Sequence, residues 1–189
     1  MIRFAGILFL LTPAVLFAQK SSHMGAAKYA PDDGEKLLII GQDLYADGYV
    51  DHLDQIPAGV TTYTGFPGLS GLEIKDNWGA GDVHAQAYIN DSSFDNSAIV
   101  IGLHIVDQLE SIRNGYSDFY IESLGDWIKK QNRPVFLRIG YEFDGSWNHY
   151  DPDEFIEAWI YMVKYFDGLD VRNIAYVWQS AGGIPEMSM

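Results

Sequence analysis

Short runs of consecutive apolar residues recur along the chain, and each gives way to a longer stretch with a different spacing. Residues 37–40, 60–63, 98–103, 135–139 and 174–178 read as strands. The second is bounded by Pro57-Ala58-Gly59 and Gly65-Phe66-Pro67, and the fourth is introduced by Pro134, a residue tolerated where a strand begins. Their apolar positions are consecutive and not alternating, as expected of strands covered on both faces. Between the third and fourth strands, Phe119, Tyr120, Leu124, Trp127 and Ile128 form a helical stripe that should face a sheet, with Ser117 as its N-cap. Between the fourth and fifth, Asp151 caps a second helix, Pro152 takes its first position and Glu154 closes a capping box. Phe155, Ala158, Trp159, Met162, Val163 and Phe166 then repeat at helical spacing until Gly168 ends the run.

The last three strands start 37 and 39 residues apart with a helix in each gap, which is the rhythm of parallel β–α units in an α/β fold. No G-x-G-x-x-G follows the first strand and no P-loop is present, so the usual phosphate-binding reason for an open sheet is missing. A (β/α)8 TIM barrel is the expectation. Such a barrel takes eight strands and about 250 residues. Five strands in 189 residues predict a barrel truncated after about strand five, with residues 36–189 as the partial barrel domain.

The segment ahead of it reads as processing information. Arg3 precedes an almost wholly apolar run from 4 to 17, and Ala18 supplies the small residue of a cleavage site, so residues 1–18 are expected to be a signal peptide. That run is shorter than the ~20 residues a spanning helix needs, which predicts a secreted or periplasmic protein free of the membrane after cleavage. Residues 19–35, polar and without period, read as a loose lead-in.

Charge and composition narrow the partner. A formal net charge of −14 disfavours nucleic acid and anionic membranes, which would repel the chain. Aromatics reach 14%, with 5 Trp and 12 Tyr, many outside the core-like segments, and flat apolar faces with a polar handle suit sugar rings. There is no cysteine, hence no disulfide, zinc–thiolate site or thiol nucleophile. No two-histidine helix pattern and no G-x-S-x-G elbow occur, and the capping role of Asp151 and Glu154 accounts for the acidic run after His149. Neither a metal nor a cofactor is expected.

In a barrel, reactive groups stand at the C-terminal ends of the strands. Asp43 follows the first strand here, His104 the third, Glu142 the fourth and Trp178-Gln179 the fifth. The richest stretch runs from Arg138 through Tyr141 and Glu142 to Trp147. It brings together a carboxyl at an apolar edge, suited to proton donation, an aromatic platform, and an arginine able to hold a neighbouring carboxylate by hydrogen bonding.

Arg-x-x-x-Glu-x-x-Gly-x-Trp after a Pro-Val-Phe-Leu strand resembles the acid/base motif of glycoside hydrolase family 26, which groups β-mannanases with β-1,3-xylanase and mixed-linkage glucanase relatives. The likeness is specific over residues 134–147 and is supported by 174–178. It implies a retaining endo-hydrolase of a β-linked polysaccharide, mannan first and xylan or glucan second, that works as a monomer when full length. By the same resemblance Glu142 is the acid/base, Trp147 a sugar contact, Arg138 an organiser of the site and His104 a substrate-site residue. Tyr141 stands where many members have His; it can donate a hydrogen bond but cannot carry an imidazole's charge. Asp43 and Trp178 are further substrate-site candidates on position alone. The family's nucleophile is a Glu after strand seven, expected beyond Met189. Glu186 lies where the family has a loop. The alternative reading is a noncatalytic carbohydrate-binding barrel.

Overall fold

A computed structural model describes residues 29, 31, 34–41, 56–75 and 83–182. The predicted signal peptide, most of the lead-in, Asp43 and Glu186 lie outside the described residues.

The elements in chain order are β1 (Ile39–Ile40), β2 (Gly59–Gly65), α1 (Ala85–Asn90), a 3-10 turn (Ser92–Phe94), β3 (Ala98–His104), α2 (Leu109–Arg113), α3 (Asp118–Lys130), β4 (Val135–Ile139), α4 (Pro152–Gly168) and β5 (Ile174–Tyr176). All five predicted strands are present. The fourth matches its predicted bounds, the second and third run longer, and the first and last are shorter.

The strands form one parallel sheet in the order β1-β2-β3-β4-β5. Because side chains alternate across a strand, each strand sends every second residue to each face. Val60, Ile99, Ile101, Leu103, Val135, Leu137 and Ile139 share one apolar cluster with Tyr88 of α1, Ile112 of α2, Ile121, Leu124 and Ile128 of α3, and Phe155, Met162 and Phe166 of α4. Each such aliphatic side chain contributes roughly 1.5–3 kcal/mol by leaving water. The described helices therefore pack on a single face. A doubly wound sheet reverses its strand order and carries helices on both faces. Sequential order with one-sided helices is compatible with part of an α/β barrel, whose interior would be the opposite face.

Local chemistry explains the helix ends. Asp151 accepts from the backbone N–H groups of Asp153 and Glu154, capping α4 as the sequence predicts. Glu154 does not close the capping box; it reaches Arg113 of α2 at 2.9 Å instead. Ser117 precedes α3 but its hydroxyl pairs with Ser111, 2.9 Å away, and does not cap the helix. The stripe on α3 is also narrower than predicted: Leu124, Trp127 and Ile128 are buried, whereas Phe119 stands in solvent. Among the described residues no helix is long and apolar enough to cross a membrane.

Candidate active site

On the face opposite the helices, register places Tyr63 of β2, Gly102 of β3 and Arg138 of β4 side by side. The Arg138 guanidinium lies 5.5 Å from the Tyr63 ring centroid and 5.2 Å from that of Tyr141, and its Nε donates to Gln179 Oε1 just past β5. The two tyrosine rings meet edge to face at 5.3 Å. Gly102 makes this possible: a Cβ there would sit 2.6 Å from Tyr63 Cδ1 and 3.1 Å from Tyr141 Cδ1. Arg138 is thus fixed by two aromatic faces and an amide, and no described carboxylate pairs with it. Among the described residues the guanidinium therefore meets two rings and an amide, and in this position it holds Tyr141 in place.

Beyond Ile139 the chain turns sharply. Gly140 and Glu142 both have positive φ, 54° and 57°. Gly140 N–H still donates to Leu103 O, so the turn begins while the chain is pinned to β3. The buried Asn148 closes it, its Nδ2 donating to Tyr141 O at 3.1 Å and to Glu142 O at 2.7 Å. Asp144 accepts from Ser180 Oγ and Ala181 N–H, and Phe143 N–H donates to Gln179 O, which ties the turn to the segment after β5. Glu142 is half-buried, and its carboxylate has no hydrogen-bond or ion-pair partner among the described residues. A pair between Glu142 and Arg138 does not form.

Beside this turn opens a cavity of about 600 Å³ at the C-terminal ends of β2, β3 and β4, lined by Phe66, Pro67, His104, Tyr141, Trp147 and Asn148, among others. Trp147 lies over Gly145 and stays largely exposed. Burial pushes the Tyr141 phenol up; Tyr63 and Glu142 act the same way and Arg138 opposes. Tyr141 is therefore a neutral donor at any ordinary working pH. Burial lowers His104, with Asp107 opposing, so its imidazole is held toward the neutral form, able to donate and accept.

The chain is similar to β-1,3-xylanases. It is 30% identical over 166 residues to the β-1,3-xylanase TXYA of a Vibrio species and 29% identical over 167 residues to a β-1,3-xylanase of an Alcaligenes species. Each alignment covers 87% of this chain but 35% of the relative, so the chain spans about a third of the length of these curated proteins. An alignment of that extent in 189 residues includes positions 60–147 wherever it starts, and with them Tyr63, His104, Arg138, Glu142 and Trp147. No protein-family profile matches the chain.

Of the residues singled out from sequence, His104, Tyr141 and Trp147 line one cavity and Glu142 adjoins it through Asn148. Trp178 does not join them. It packs on Phe143, Phe155 and Trp159, with ring centroids 4.6, 5.4 and 5.3 Å away, and lines a separate cavity of about 480 Å³ against α4. The parity of β5 explains this, since Tyr176 and Trp178 point to the helix side and Gln179 to the other. Gln179, beside Trp178 after the fifth strand, does reach the site through Arg138, whereas Tyr63, Gly102 and Asn148 are missed by motif reading. Gly102 carried a signal, as the one residue without a side chain inside an apolar strand.

Asn148→Ala should lower stability by about 1–3 kcal/mol, because two carbonyls lose their donor in a buried turn. Urea unfolding reads this directly, and an unchanged midpoint would show that the clamp carries no weight.

Proposed function

We propose that this chain is the acid/base-bearing part of a secreted, retaining endo-hydrolase of β-1,3-xylan, built as a family 26-like (β/α)8 barrel. The observation that carries the reading is Glu142: a half-buried carboxylate without a partner among the described residues, on a clamped turn at the end of β4, next to a cavity walled by Trp147. Xylan is preferred over mannan because both relatives bear the name β-1,3-xylanase. A net charge of −14 suits a neutral glycan.

Retention requires two carboxyl groups about 5–5.5 Å apart, one attacking the anomeric carbon and one moving the proton. Glu142 protonates the departing glycosidic oxygen, then takes a proton from the water that opens the glycosyl-enzyme. The nucleophile is the Glu expected after strand seven, beyond Met189. Arg138, held between Tyr63 and Tyr141, keeps the Tyr141 phenol at the cavity wall, where it hydrogen-bonds the substrate. Trp147 offers a face to a sugar ring.

The test is hydrolysis by the full protein of β-1,3-xylan, β-mannan and β-glucan, with the anomer of the first product read by proton NMR. Release of the β-anomer from xylan is expected. Release of the α-anomer would remove the retaining mechanism, and activity on mannan alone would overturn the substrate.

A further inference from the structure

Among the described residues only four aromatic side chains are strongly exposed: Tyr116 at 79%, Phe119 at 71%, Trp147 at 59% and Trp178 at 50%. All four stand at one end of the fold. Trp147 and Trp178 follow β4 and β5, while Tyr116 and Phe119 sit where α3 begins, and a helix returning antiparallel to the strands begins at their C-terminal ends. Ring contacts join Phe119 of this outlying pair to the cavity. Phe119 meets Tyr120 at 5.6 Å, Tyr120 meets Phe66 at 5.8 Å, and Phe66 is a wall of the cavity that holds Trp147.

Core packing does not account for Tyr116 and Phe119, because Ile121, Leu124 and Ile128 already bury the inner face of α3. Solubility does not call for them either, since two aromatics in solvent are a liability. Exposed rings that continue an aromatic-walled cavity suit a flat, uncharged and extended ligand.

We propose that Tyr116 and Phe119 form an outlying platform for a neutral β-linked glycan chain whose other units occupy the Trp147 cavity. The platform rests on the glycan-hydrolase reading and deepens it: the ligand is a polymer longer than the cavity, held across two successive β–α units. Binding then grows with chain length, the outer units stacking on Phe119 and Tyr116 while the inner ones meet Trp147.

The experiment is calorimetric titration of the full protein with β-1,3-xylo-oligosaccharides of increasing length, using catalytically silenced Glu142→Gln as the background. Affinity should rise with length in that background. In Tyr116→Ala/Phe119→Ala the rise should flatten, with binding of the longest oligosaccharide weaker by about tenfold, the scale of two lost stacking contacts. Phe119→Trp alone should keep or steepen it. An undiminished rise in the double variant, with Trp147→Ala still weakening every length, would overturn the platform and leave the functional reading standing. No binding of any length in the background would overturn both.

Discussion

Glu142→Gln in the full protein should cut hydrolysis of unactivated β-1,3-xylan by about 10²–10⁴-fold, the range that a positioned proton donor contributes. The amide keeps the shape of the carboxyl and cannot protonate a leaving oxygen. Among the described residues Glu142 makes no ion pair that the change would break, so stability should move by no more than about 0.5 kcal/mol, the usual effect of a partnerless substitution. That combination separates chemistry from structure. An aryl glycoside whose leaving group departs without a proton should lose far less in its first step, because the missing acid is not needed there. A variant that still degrades the polymer at the parental rate would show that the proton comes from another group. Equal losses on activated and unactivated substrates would show that Glu142 acts by something other than proton delivery.

The parts of this arrangement that could be read from the residues are the local ones. Strands of consecutive apolar residues announce themselves because both faces are covered, and β4 begins and ends where Pro134 and Gly140 punctuate it. α4 is legible from Asp151 and Pro152, whose chemistry fixes a helix start whatever packs around it. The short elements α1, α2 and the 3-10 turn are not legible, since three to six residues hold too few turns for a period to show. Phe119 is misread for a related reason: it is apolar and lies near the stripe, and only the tertiary position of α3 shows it facing outward.

The surroundings of Arg138 are illegible in a deeper sense. Its partners Tyr63 and Gln179 lie 75 residues before it and 41 after it, and what joins them is parallel register from β2 through β5. Nothing in the spacing of a single strand states the register of its neighbours. The same limit applies to Trp178, whose polarity and position suggest a mouth residue while the parity of its strand turns it toward α4.

Gly140→Ala should be among the most damaging small substitutions in the chain, costing about 2–4 kcal/mol. Two effects add. At φ 54° an L-residue meets its own carbonyl, worth about 1–2 kcal/mol. The new Cβ would also stand 2.5 Å from Phe155 Cε2 and 3.2 Å from Ile105 Cγ1 and Cδ1. Phe155 cannot withdraw easily, since it is 2% exposed and packed against Phe143 and Tyr150 at 5.6 and 5.0 Å. A double-mutant cycle separates the two causes. In a Phe155→Leu background, which lacks the offending ring carbon, the penalty of Gly140→Ala should fall by about 1 kcal/mol or more. An unchanged penalty would assign the whole effect to backbone conformation. Because Gly140 lies two residues before Glu142, the variant should lose kcat on xylan well below its unfolding temperature, the carboxyl having moved relative to Trp147. Full activity together with full stability would mean that β4 leaves the sheet by a different path from the one described.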